Sequence, residues 1–270
     1  MAYARSCLLG AALLLAGCGV GQTGHQAAVE VTITRDLGAV PVREAQAKSG
    51  AELGALLRGQ PGGQRWVNGV TAGDKTTVHG GDRVWADVAA AGVRTPAVVG
   101  SFPEPFRHGI DGKRLPVRIE CSDARGPACR LVGDRLAAFD IPAARGGLQT
   151  ARAPETLRVL VGPWTALRLD PAANALEHGP RASGVYARMA RDGRTIAVLT
   201  ANGRIARTLG AGSGLVAAVK RPDERPVWVV TGTDAAGVAS AARAFEEGTL
   251  AHRFALAVSG DLPVVLPAGR

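Results

Sequence analysis

The side chains that could do chemistry are few and scattered. The five histidines, His25, His79, His108, His178 and His252, stand far apart. No two have the spacing that presents two imidazoles to one metal, so no metal site is expected. Adjacent carboxylates occur at Asp223–Glu224 and Glu246–Glu247, but neighbouring side chains point apart and read as solvated pairs. Ser213 lies in "GSG" without the G-x-S-x-G pattern of a nucleophile elbow and without triad partners. "GAGSGLV", Gly210 to Val216, contains G-x-G-x-G, but it neither follows a convincing strand nor opens a long helix, so the dinucleotide fingerprint is not met. "VVTGTDAAG" ends an apolar stretch before a helical pattern. An anion could sit at that helix start, but Thr233 or Asp234 as a plain N-cap is the simpler reading. These residues predict no catalytic constellation and no cofactor; the chain reads as a non-enzyme.

Binding chemistry has a better candidate. Two of the chain's four tryptophans, Trp66 and Trp85, fall within "RWVNGVTAGDKTTVHGGDRVWADV", residues 65–88, in a chain otherwise poor in aromatics. Two readings stand. The rings can pair across neighbouring strands and fill a small core, or they can offer a surface to a planar or bulky ligand, with Asn68 beside them. Asn68 and Gly69 form a tight-turn pair, and Asp82 caps or turns into the next strand.

The cysteines concern location. One charge, Arg5, precedes an apolar run from Leu8 to Ala16 and then small residues, the layout of a secretory signal and too short for a comfortable membrane span. Its end, "LLAGC", resembles a bacterial lipobox. That resemblance implies a signal peptide over 1–17, diacylation of Cys18, a tether over 18–27, and a lipid-anchored protein on the extracytoplasmic face of the cell membrane. Cys7 leaves with the signal. Cys121 and Cys129, in "CSDARGPAC", are expected to pair as a disulfide, since an exported chain meets oxidising conditions. A zinc site is the alternative, but it lacks partners. The formal charge of +9 could aid adhesion to phosphate-rich surfaces, but many arginines with abundant Ala and Gly read more simply as the codon bias of a GC-rich genome. The arginines are scattered and no Lys/Arg run exceeds two, which speaks against a nucleic-acid partner.

Elements must position these residues. "VEVTIT" alternates as a half-buried strand, with a further strand possible before the helix. "SGAELGALLRG" predicts a short helix with Ser49 as N-cap, Glu52 at its third position and Gly59 at its stop. "QRWVNGV" and "DRVWADVAA" read as strands. This order, with "WVNGV" and "GGDRVWADV", resembles the domain of unknown function numbered 4430, a β-grasp-type module also found as the C-terminal domain of transcobalamin and intrinsic factor. Trp66, Val67, Asn68, Gly69, Gly73, Gly81, Asp82, Val84 and Trp85 occupy the motif positions. The resemblance implies a β-grasp fold and a ligand met near the tryptophans, a corrinoid being the family's example. Here "QPGG" replaces a longer stretch before W-V-N-G, and the aromatic cluster is reduced to Trp66. Both trim the ligand side and favour the core reading of the pair.

Further along, "LPVRIEC" is a strand and "CRLVGDRLAAFDI" belongs to a strand-rich segment. "PAARGGLQTARAPET" is a linker by composition. From Thr156, "LRVLVGPW" reads as a strand, "LRLDPAANALEHGP" as a short helix, and "GVYARMARDGRTIAVLTANGR" as a two-strand hairpin. Two more strands, a helix over Asp234–Glu247 and a final strand follow. The expected fold class is α+β: a β-grasp-like domain over 28–100, a strand-rich extension with disulfide and linker over 101–150, and a C-terminal mixed α/β domain over 151–270. The expected function is capture of a small ligand, or its presentation to an importer. The alternative is an envelope interaction or scaffold module with a protein partner.

Overall fold

The computed structural model describes residues 27–60, 62–88, 90, 92–149 and 153–269. Cys7 and Cys18 lie outside them. The protein is α+β, with three sheets among the described residues. The first is built from β1 (Val29–Arg35), β2 (Val40–Ala47), the one-turn helix α1 (Leu53–Leu56), β3 (Gln64–Val67), β4 (Val70–Thr71) and β5 (Arg83–Asp87). Its strand order is β2-β1-β5-β3-β4, with β1 and β5 parallel and the other pairs antiparallel. Alternation decides its faces. Val29, Val31 and Ile33 pack with Val67, Val84, Leu53 and Leu57 in a small apolar core. The opposite face carries Glu30 and Thr32. Register sets Gln46 and Arg83 beside Glu30, Glu44 and Trp85 beside Thr32, and Trp66 beside Trp85.

Helix α1 is shorter than expected and begins after Glu52, not Ser49. Backbone bonds from Gly50 to Val78 and from Val78 to Ala51, and a bridge between Glu52 and Thr77, tie residues 50–52 to residues 77–78 and keep them out of the helix. Sheet-like pairing outcompetes the capping box there.

The second sheet begins well before residue 150. β6 (Val117–Cys121) leads to α2 (Pro127–Ala137), β7 (Ala143–Gly147) and β8 (Leu157–Pro163). Three short helices follow, α3 (Trp164–Leu167), α4 (Pro171–Asn174) and α5 (Pro180–Ser183). A small antiparallel sheet then forms from β9 (Ala187–Met189), β10 (Ile196–Leu199) and β11 (Ile205–Leu209). The chain returns as β12 (Ser213–Val219), β13 (Val227–Gly232), α6 (Ala235–Ala244), α7 (Glu247–Leu250), β14 (Ala255–Ser259) and β15 (Leu262–Leu266). The order is β15-β14-β12-β13-β8-β6-β7, parallel from β13 to β7 and antiparallel elsewhere. β12 and β13 are buried along their whole length, because both faces of the sheet are covered. Helices α2 and α6 cover one face. The three-stranded sheet, the short helices and the tryptophan pair cover the other. α6 approaches closely because Gly232 and Gly237 leave room: a Cβ on Gly232 would lie 2.3 Å from Gly237.

Several expectations are corrected. "PACRLVGDRLA" is a helix, not strand-rich: Cys129, Val132 and Leu136 recur at helical spacing and turn inward, and Pro127 starts the first turn. The expected linker holds β7, which pairs with β6. A boundary at 150 would therefore cut through one hydrogen-bonded sheet. The helix expected over 234–247 stops at Phe245, whose ring is buried in the core, and α7 restarts at Glu247. β11 and β15 were not anticipated.

Cys121, at the end of β6, is bonded to Cys129 in α2. Both are buried, so the bridge pins the helix to its strand. Replacing both by Ser should lower unfolding free energy by roughly 2–3 kcal/mol for so short a loop. The check is denaturant melts, with the midpoint falling and the slope equal or slightly steeper, since the unfolded chain loses its cross-link.

Candidate functional site

Trp66 and Trp85 meet on the polar-side face of the first sheet, their rings 4.7 Å apart and tilted by 31°. Phe254, arriving between α7 and β14 of the second sheet, sets its ring edge-on to both, at 5.3 and 5.1 Å. These rings belong to the same buried cluster as Leu160, Leu215 and Ala257 of the large sheet. The pair therefore fills the contact between the two sheets rather than the interior of the small one. Each indole N–H is satisfied: Trp66 Nε1 donates to Thr95 O and Trp85 Nε1 to Thr34 Oγ1, both at 2.8 Å. Thr34 in turn donates to Asp87, which also accepts the Gly38 amide.

Asn68 stands apart from the rings. It adopts a left-handed conformation, with φ of 52°, and with Gly69 it turns β3 into β4. Its side-chain amide donates to Asp82 (2.7 Å) and Gly109 O (2.8 Å), and its carbonyl accepts the Arg83 amide (2.9 Å). Asp82 also accepts the His79 amide. Of the three residues expected to touch a ligand, Trp66 and Asn68 are fully buried and line neither of the two depressions described below, because neighbouring sheet and loop atoms take their surfaces. Trp85 alone lies at the wall of an open space.

That space is a cleft of about 490 Å³ between the first sheet and the segment joining α7 to β14. At the Trp pair, large rings close the gap between the sheets. Toward β1 and β2 the same face carries Thr32, Glu44 and Gln46, and the gap stays open. Ser101 and Phe102 form one wall; Glu247 and His252 form another. Arg83 crosses the junction. Its Nε lies 2.8 Å from Glu30, its Nη2 lies 2.6 Å from Glu247, and its Nη1 donates to Phe102 O.

Burial holds the His252 imidazole below its usual pKa; nearby Glu44 opposes the shift, and Arg253 and Arg83 add to it. Below the loop, Glu104 is pushed up by burial, against hydrogen bonds and charge from His108.

A second depression, about 250 Å³, has Glu120, Arg158 and Asp170 at its base. Arg158 makes two 2.8 Å bonds to Glu120 and one of 2.7 Å to Asp170, and Asp170 also caps α4. These charges are occupied with each other and tie β6 and β8 to the short helices. Among the described residues no three His, Cys, Asp or Glu side chains converge as metal ligands would, and no helix is long and apolar enough to cross a membrane.

Compared with known protein families and with curated proteins, the chain matches none.

Arg83, Glu44 and Ser101 carry no signal in the sequence, and Glu247 and His252 read there only as a solvated carboxylate and a scattered histidine. Glu247 and His252 are far in sequence from Glu44. The one usable signal was the alternation of "VEVTIT", which marks Glu30 and Thr32 as sharing a face without saying that the face is covered.

The lowered His252 pKa gives a signed expectation. The unfolded chain binds a proton near the ordinary value of 6.5 while the folded chain resists it. The contribution of His252 to stability is thus present above that value and is lost as pH falls through the depressed pKa. Melting temperature measured from about pH 7.5 to about pH 5.5 should drop more in the native chain than in His252→Gln.

Proposed function

We propose that this chain is a non-catalytic, lipid-anchored protein of the extracytoplasmic face of the cell membrane that captures a small ligand in the cleft between its two larger sheets. The cleft itself is the observation that carries the reading. At about 490 Å³ it falls in the size range of small-molecule sites. It combines an aromatic wall with polar groups, and its two sides are fixed to each other by Trp66, Trp85, Phe254 and the Arg83 bridge. The Cys121–Cys129 disulfide suits an exported chain, and "LLAGC" supplies the anchor in this reading.

The family resemblance gains support from topology. A hairpin, a short helix and a further hairpin-bearing segment, ordered β2-β1-β5-β3-β4 around a parallel β1–β5 pair, suit a β-grasp module of the transcobalamin C-terminal type. A corrinoid exceeds the cleft in size, so it would reach in with one peripheral group only. A compact ligand fits better. The complete burial of Trp66 favours a second reading, an envelope scaffold with no small ligand, in which the rings serve only to join the sheets.

Protein-observed NMR with a fragment set, alongside titration with cyanocobalamin, separates these. Capture predicts shifts clustered on β1, β2 and residues 251–253, abolished by Gln46→Trp, which fills the cleft without touching the aromatic junction. The scaffold reading predicts no such cluster with either kind of probe.

A further inference from the structure

The cleft's charge differs in sign from that of the protein around it. The chain carries a formal +9, yet three carboxylates, Glu30, Glu44 and Glu247, face one guanidinium, Arg83, across the cleft. All three Arg83 nitrogens are engaged, with Glu30, Glu247 and the Phe102 carbonyl. An entering anion would find no free nitrogen on this guanidinium and would have to displace two carboxylates from it. Glu44 forms no ion pair with a Lys or Arg among the described residues; its register partner is Thr32. Ser101 gives a second, independent sign of a ligand. It lines the cleft, it is 2% exposed, and its hydroxyl has no hydrogen-bond partner inside the protein. Buried polar atoms in folded proteins are nearly always paired, so an unpaired hydroxyl in a cleft wall leaves both its O–H and its lone pairs to a ligand, the lone pairs being what a cation's N–H would use.

Resting on the reading of this cleft as a ligand site, we propose that it selects a small organic cation, an amine, amidine or guanidinium, held by the carboxylates of Glu44 and Glu247 with Ser101 as a further acceptor and with Phe102 and Trp85 beside its apolar part. The chemistry is additive. A cation brings only donors, and three carboxylates in the lining, Glu30, Glu44 and Glu247, accept hydrogen bonds against one guanidinium whose nitrogens are all engaged. Local negative charge within a basic protein draws cations to one place and turns anions away from it.

The test is calorimetric titration of the purified full chain with shape-matched probes. Benzamidine, 2-phenylethylamine and agmatine serve as cations. Benzamide and 2-phenylethanol are the neutral counterparts of the first two, and benzoate and phenylacetate the anionic ones. At least one cation is expected to bind about tenfold or more tightly than its neutral counterpart, with a preference that shrinks as salt is raised. Glu44→Gln with Glu247→Gln should remove most of that preference. Ser101→Ala should weaken cation binding while leaving the melting temperature unchanged or higher, since it deletes an unpaired buried hydroxyl. A neutral or anionic counterpart binding in the cleft as tightly as its cation would overturn charge selection and leave ligand capture standing. Failure of every cation to bind overturns the proposal. Failure of every probe, charged or not, together with silence in the fragment experiment, overturns the capture reading as well.

Discussion

The interlock of Trp66, Trp85 and Phe254 is the contact on which the rest of the molecule depends. The first sheet has a small apolar core on its helix side, formed by short side chains and one turn of helix. On its other face the aromatic pair belongs to the core of the seven-stranded sheet. Large rings bury much apolar area, and offset or edge-on geometry adds to that. Each indole N–H meets an acceptor within the protein, so this burial carries no unpaired donor at the rings. Two sheets that would otherwise be separate modules are thus held in one relative position, and the open space beside the rings acquires fixed walls.

Charge then sets what those walls can do. Arg83 repeats across the cleft, in ionic form, the union that the tryptophans make with apolar surface, joining Glu30 of the first sheet to Glu247 of α7. Being engaged on every nitrogen, it stabilises the geometry and does not advertise a positive site. The Asn68–Asp82–Gly109 bonds work in the same way from below, tying the β3–β4 turn to the loop that follows. Most of the conspicuous polar residues in this region are thereby consumed in building the cleft. Glu44 and the Ser101 hydroxyl, by contrast, line the cleft outside that Arg83 bridge.

Much of the first sheet was legible. "VEVTIT" alternated as the strand does, and Asn68–Gly69 turned where a turn pair should. The α+β class followed from strands mixed with short helices. The failures have physical causes. Ser49 lost its capping role because the backbone of residues 50–52 pairs with residues 76–78. β7 is glycine-rich and mostly exposed, so composition marked it as a linker although β6 gives it a hydrogen-bonding partner. α2 has the helical spacing of Cys129, Val132 and Leu136, but the strand-like stretch that precedes it, "LPVRIEC", drew the whole segment into a strand reading. The site was the least legible feature. Local pattern placed a ligand on Trp66 and Asn68, whereas the fold buries both, and the cleft residues come together only through contacts between distant segments.

Native-state hydrogen exchange tests the central claim most directly, because it asks whether the two sheets open as one unit. With the aromatic interlock intact, the slowest amides of β1 and β5 should exchange through the same global opening as those of β12 and β13, with the same dependence on denaturant. Trp66→Phe should loosen β1 and β5 selectively, since it removes ring area and the indole N–H bond to the Thr95 carbonyl, which keeps Thr71 Oγ1 as its other donor. Separate exchange of β1 and β5 in the native chain, through an opening of markedly lower free energy than that of the large sheet, would contradict the account.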